Sequence, residues 1–281
     1  MIFYLGIGFA FLVAFLKAID TLMNKSVMKD IQPLHHALYR ILFVTPILFI
    51  VSIFHWQIRI EVIWFLLGYG ALEAVNILTH QIAVKKSNPL HIEMISKSKV
   101  ILTLIVSFVL MIDELSLWKT IGIIIFVIGT ILTINFHTER DGERTGKIGI
   151  ILEMISVLAR TFKPFILKYC IVNGYISSEM MAFLSMPIAF VVLLIIFRPK
   201  LNFREISVKK YSLQALVVAL SMLASGWAIS MSNTVIVNAI ESFSVFFIML
   251  ISYVLYKKKY MVLSIIGLVL STIGIVLAIV L

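Results

Sequence analysis

The sequence predicts an all-α membrane protein of ten transmembrane helices, arranged as two inverted five-helix repeats. Three observations carry this. Of the 281 residues 61% are hydrophobic and only 14% charged, and the mean hydropathy is +1.08, well outside the range of soluble domains. Apolar runs of about 20 residues recur between short polar connectors, each long enough to cross roughly 30 Å of hydrocarbon as a helix. None alternates strictly, as the strands of a membrane barrel would. Finally, 87–136 aligns on 232–281 without a gap, with roughly a quarter of the positions identical.

In chain order the spans are 2–27, 34–54, 61–84, 90–112 and 116–136, then 147–170, 178–197, 210–231, 236–256 and 260–280. The first carries Lys17 and Asp20 and runs into "KAIDTLMNKSVMKD" without a small-residue cleavage pattern, so it is expected to stay as a helix. The second holds Arg40 and Pro46, and the third a polar series, Glu73, Asn76 and His80, with Gln81 beside it. The fourth combines "HIEMISKSK", with Glu93, Lys97 and Lys99, with a purely apolar second half, and the fifth holds Gly122 and Gly129. The sixth contains Glu153 and then "ARTFKP", placing Arg160 and Lys163 just before Pro164. Proline there removes a backbone hydrogen bond, so an interruption of the helix is expected. The seventh holds Pro187, the eighth Trp227, the ninth Asn238 and Glu241, and the tenth Gly267, Ser271 and Gly274.

The polar stretch 137–146 separates a first repeat, 1–136, from a second, 147–281. Identities between the halves fall on polar and small residues: Ser87-Asn88 on Ser232-Asn233, Ser107 on Ser252, Gly122 on Gly267 and Gly129 on Gly274. With small gaps, Lys17 meets Arg160, Lys25 meets Lys168 and Pro46 meets Pro187. Five helices per half is an odd number, so the second half enters the membrane from the opposite side. Inverted repeats are typical of secondary transporters, whose binding sites lie between the halves near the midplane.

The net charge of +10 lies in connectors and forms no basic stripe interleaved with aromatics, which argues against nucleic acid and for anionic lipid headgroups as the partner. Of the 24 Lys and Arg, about 15 sit in connectors after helices 1, 3, 5, 7 and 9, so those connectors are expected to be cytoplasmic and both termini outside, in a multi-pass cell-membrane protein. Cys170 is the only cysteine, so no intramolecular disulfide forms. No glycine-rich phosphate loop, GxSxG elbow or HExxH helix is present. The pairs His35-His36 and His91 with Glu93 are too sparse for a metal site. No cofactor and no metal is expected.

The stretch "IDELSLWKTIGIIIFVIGTIL" resembles a segment of the ten-helix drug/metabolite transporters of EamA type, matching at Glu114, Leu115, Ser116, Gly122 and Gly129. Lys25, Pro33 and Arg40 in "NKSVMKDIQPLHHALYRILF" are similar to that family's first two helices. The resemblance implies a permease, not an enzyme, built from two such repeats. The chain departs from the pattern in three ways. Lys259 stands where the second repeat usually has its acid, "SKSK" replaces a proline common in the fourth helix, and the loop charges oppose the usual cytoplasmic termini.

A charge at the bilayer centre costs about 2.5 to 3.5 kcal/mol on insertion scales, so several of them must be paired, hydrated or used. Six basic residues, Lys17, Arg40, Lys97, Lys99, Arg160 and Lys163, face five acidic ones, Asp20, Glu73, Glu93, Glu153 and Glu241. Near balance suits mutual ion pairs, or a site for a zwitterion or weak anion, and argues against a strongly cationic substrate. Spacing of three or four residues favours Lys17 with Asp20 and Glu93 with Lys97 on their own helices. Glu73, Asn76 and His80 fall on one stripe, with Glu73 near mid-span, where a desolvated carboxylate suits proton coupling or binding of a substrate amine. Lys97 and Lys99 lie about 200° apart on the helix, so one of them, Lys97, is expected to face a cavity.

The expected substrate-binding set is therefore Lys17, Asp20, Glu73, Asn76, His80, Glu93, Lys97, Arg160, Lys163, Trp227, Asn238 and Glu241. The function it supports is secondary transport of a small polar or zwitterionic metabolite, such as an amino acid. The competing accounts are structural ion pairing, a channel or scaffold, and a membrane-embedded enzyme using Glu73 and His80 as acid and base on a lipid-linked substrate. Gly122 and Gly129, like Gly267 and Gly274, form small-residue faces for close helix contact, within the protein or at a homodimer seam.

Overall fold

A computed structural model describes residues 2–28, 31–86, 89–110, 116–135, 147–200, 206–256 and 262–280. Among these the chain forms eleven α-helices and no strand, only an isolated bridge between Ile58 and Ile176. They are α1 (Ile2–Val27), α2 (Pro33–Ser52), α3 (Ile63–Lys86), α4 (Pro89–Leu110), α5 (Leu117–Asn135), α6 (Lys147–Val172), α7 (Ser178–Phe197), α8 (Val208–Met231), α9 (Thr234–Ser242), α10 (Ser244–Tyr256) and α11 (Val262–Val280). The chain is an all-α membrane protein. Six segments are long and apolar enough to cross a bilayer on their own. Neither α4 nor α6 is among them, because these two carry the interior charges. The linker expected at 137–146 lies outside the described residues.

Local chemistry sets the helix ends. Pro33 takes the first position of α2, where its missing N–H costs nothing. Ser177 caps α7 by accepting the Met180 N–H at 3.3 Å. Asn233 caps α9 by accepting from Val235 and Ile236 at 3.0 and 3.3 Å.

The structure departs from the expected helices in two places. α6 continues through Pro164 without interruption, held by its packing against α3 and α4. The break falls instead in the ninth span, at Phe243, between α9 and α10. No proline or glycine marks it. Ser242 turns its hydroxyl back to the Asn238 carbonyl at 2.9 Å, a bond that Thr103, Thr130 and Thr161 also make inside unbroken helices.

Helices of the first half pack chiefly on helices of the second. α1 lies against α8 and α3 against α6; α2 meets α7; α4 meets α6, as α1 meets α9 and α10; and α5 lies along α11. The α5 and α11 contact is made by the glycine faces. A Cβ on Gly122 would come within 2.7 Å of both the Ala278 nitrogen and the Gly274 carbonyl oxygen. These faces therefore meet each other inside one chain.

Connectors cluster at two ends. At one end the α2–α3 and α6–α7 connectors are zipped together, with the Arg59 N–H donating to the Tyr175 carbonyl at 2.8 Å and the Ser177 hydroxyl to the His55 carbonyl at 2.8 Å. At the other end Lys85 donates to the Ile31 carbonyl at 2.8 Å, and His35 contacts the Lys200 carbonyl at 3.1 Å. The alternation of odd and even connectors is that of a bundle crossed repeatedly from side to side.

A polar cavity between the helices

Between the two ends α1, α2, α3, α4, α6, α7, α8 and α9 surround a cavity of about 260 Å³. That is far more than the 10–15 Å³ or so one water needs and just below the roughly 300 Å³ of small-molecule pockets. Its wall is built from the interior charges. Each carboxylate on it is paired across helices, so the charges also tie the bundle together.

Lys17 of α1 donates to Glu241 of α9 at 2.6 Å, and Ser225 of α8 donates to the other Glu241 oxygen. Lys99 of α4 stands 3.8 Å from the same carboxylate. Lys163 of α6 is ion-paired with Glu73 of α3 and lies over the Tyr69 ring, 5.0 Å from its centroid. Arg40 of α2 donates to Asp20 of α1 at 2.7 Å. Lys97 donates to the Ser244 hydroxyl, at the start of α10, at 3.1 Å.

Glu153 of α6 stands behind the wall, 0% exposed. It receives the His80 Nδ1–H at 2.8 Å and an ion pair from Arg160. Arg160 also donates to Ser96 of α4 at 3.0 Å, and Ser156 donates to Asn76 at 3.0 Å. Glu153 thereby fixes the orientation of two wall residues without touching the cavity itself.

Further layers lie beyond the cavity on both sides, the first buried and the second partly so. Toward the end that holds the α1–α2 connector, Asn24 donates to Gln81 at 3.2 Å and Gln214 donates to Asp20 at 2.9 Å. His36 Nε2 donates to Asn24 at 2.7 Å, so its Nδ1 accepts from the Tyr211 hydroxyl at 2.8 Å. On the opposite side the Trp227 ring packs 5.2 Å from Phe9, and its N–H donates to Glu179 at 2.6 Å.

Ten of the twelve residues expected from the sequence stand on this wall: Lys17, Asp20, Glu73, Asn76, His80, Lys97, Arg160, Lys163, Asn238 and Glu241. The Glu93 side chain, and with it the expected Glu93 to Lys97 pair, lies outside the described residues. Trp227 is not on the wall; it is held away by Phe9 and Glu179.

Two further expectations are corrected. Lys17 and Asp20 do not pair with each other as their spacing suggested, because each finds a shorter contact on a neighbouring helix. Lys99 shares the cavity with Lys97 despite their angular separation, since long lysine stems bring both ammonium groups round to it. Sequence reasoning left Arg40 and Lys99 off the site, although their charge at membrane depth was signal enough. It gave no weight to Thr21, Ser178, Ser221 and Ser225, which also line the wall. Among the described residues no group of three or more His, Cys, Asp or Glu is placed to hold a metal ion.

Residues 4–135 match the EamA-like transporter family. No match to this chain is found among curated proteins. A crystal structure of another protein shares the fold over 98% of this chain and 95% of its own, with a TM-score of 0.74 and 12% sequence identity.

Proposed function

We propose, from the match of residues 4–135 to the EamA-like transporter family, that the chain is an EamA-type permease of the drug/metabolite transporter superfamily and a secondary active transporter of a small polar or zwitterionic metabolite, such as an amino acid. The observation that carries this reading is the central cavity, walled by charged and hydroxyl side chains from both halves of the chain. A bundle held together only by structural ion pairs has no need of space between them.

In this reading the two halves, 1–136 and 147–281, are inverted repeats that rock against each other. The contacts of α1 with α8 and of α3 with α6 exchange under such a symmetry, as do those of α4 with α6 and of α1 with α9 and α10. Opening toward one side parts the buried layer of Asn24, His36, Gln81, Tyr211 and Gln214; opening toward the other parts Trp227 from Phe9 or Glu179. The basic connectors face the cytoplasm in the cell membrane, following the positive-inside bias. Glu73 carries the coupling proton, and the same proton releases Lys163 to the substrate.

The experiment is substrate flux into proteoliposomes holding the purified protein. Saturable uptake of an amino acid, abolished by an uncoupler, is the expected result. Uptake no faster than in protein-free vesicles, across a panel of amino acids, amines, sugar phosphates and nucleosides, would reject the proposal.

A further inference from the structure

The cavity wall is not electrically balanced. Among the described residues six cationic side chains stand on it, Lys17, Arg40, Lys97, Lys99, Arg160 and Lys163, against three carboxylates, Asp20, Glu73 and Glu241. Adding Glu153 behind the wall and Glu93, whose side chain is outside the described residues, still leaves one more base than acid before His80 is counted.

The surplus has a location. Asp20 is taken by Arg40 at 2.7 Å and Glu73 by Lys163. Glu241 is taken by Lys17 at 2.6 Å, so Lys99, at 3.8 Å, shares an acceptor already in shorter contact with another ammonium group. Close by is Asn238, one turn from Glu241 on α9 and 1% exposed, whose amide nitrogen and oxygen both lack a partner. The Arg160 Nε–H is likewise buried without an acceptor, although the guanidinium's other nitrogens reach Glu153 and Ser96. Ser96 lies one turn from Lys99 on α4. All three groups line the one cavity, from helices α4, α6 and α9, which touch one another. Just beyond is the start of α10, whose Ser244 is on the wall.

Buried polar groups are rarely left unpaired, because an orphan costs about 1–3 kcal/mol. Here the missing partner has a definite chemistry: it must accept from an ammonium group, from a guanidinium N–H and from an amide. A carboxylate does this, with two oxygens and about four lone-pair sites. The Asn238 oxygen then takes a donor elsewhere on the same molecule, an ammonium or a hydroxyl group.

We propose that this corner seats a carboxylate of the substrate, and that the preferred substrate is a small amino or hydroxy acid of net negative charge. This rests on the transport reading and narrows it from zwitterions to acids.

The test compares glutamate with glutamine, which have nearly the same shape but differ by one charge. Binding to the purified full chain in detergent is measured by calorimetry, and flux is measured separately in proteoliposomes. Glutamate should bind at least about tenfold more tightly than glutamine, the scale of one charge-assisted hydrogen bond. Lys99→Gln should remove most of that preference. Asn238→Asp, which adds a carboxylate to the corner, should weaken glutamate far more than glutamine and guards against a folding failure of the first variant. Equal or tighter binding of glutamine, or binding of neither, would overturn the inference. Glutamine flux with no preference for glutamate would overturn it while leaving transport intact, whereas glutamate binding without flux would support the acidic corner and reject transport.

Discussion

Replacing Arg160 with methionine should destabilise the protein more than removing its whole ion pair does. Glu153 is fully buried and is met by two groups, the Arg160 guanidinium on one oxygen and His80 Nδ1–H, at 2.8 Å, on the other. Arg160→Met leaves that carboxylate buried with one partner, and it also deletes the 3.0 Å bond to Ser96 that joins α6 to α4. Breaking a buried pair by removing one member costs about 3–5 kcal/mol, a large share of the roughly 5–15 kcal/mol that holds a typical fold together. Removing both charges, in Glu153→Gln with Arg160→Met, leaves no uncompensated charge and should recover much of the loss. The assay is a double-mutant cycle by thermal melting in one detergent, on wild type, both single variants and the pair. A single Arg160→Met variant that melts with the wild type, or a double variant that melts no higher than Arg160→Met alone, would refute the reasoning.

Other outcomes follow from the same geometry. Gly122→Ala should cost about 1–3 kcal/mol by forcing α5 off α11, seen as a lower melting temperature, whereas Gly8→Ala inside α1, with nothing within 4 Å of the added carbon, should raise stability by about 0.5–1 kcal/mol. Trp227→Phe keeps the ring against Phe9 but strips Glu179 of a 2.6 Å donor; stability should fall by about 1.5–3 kcal/mol, with substrate affinity measured by calorimetry unchanged. Asn233→Ala removes the α9 cap and should cost about 1 kcal/mol in the same melting assay.

Much of this architecture was legible because hydrocarbon thickness imposes run lengths that composition alone reveals. Nine of the ten expected spans correspond to single helices within a few residues. The exception, at Phe243, had no proline or glycine to announce it. Charge at membrane depth pointed to the site, and ten of the twelve residues it named stand around one cavity. Their partners were not legible. Periodicity ranks neighbours on one helix, so it favoured Lys17 with Asp20, whereas the pairs that form depend on which helices pack together. Glu179 shows the same limit. Its place in the sequence singled out no role for it, yet it is 5% exposed and bonded to Trp227.

Alternating access makes one demand that neither a scaffold nor a fixed binding protein shares: the cavity must open in turn to each side of the membrane. Cys170 is the only cysteine and is buried, so Cys170→Ala provides a background in which Ser225→Cys places a single thiol on the cavity wall beside Glu241. The decisive measurement is labelling of that thiol by a membrane-impermeant maleimide, applied to proteoliposomes from either side. Labelling from both sides, slowed by substrate in each case, is the predicted result. Labelling from one side only, or at a rate no substrate changes, would contradict the account.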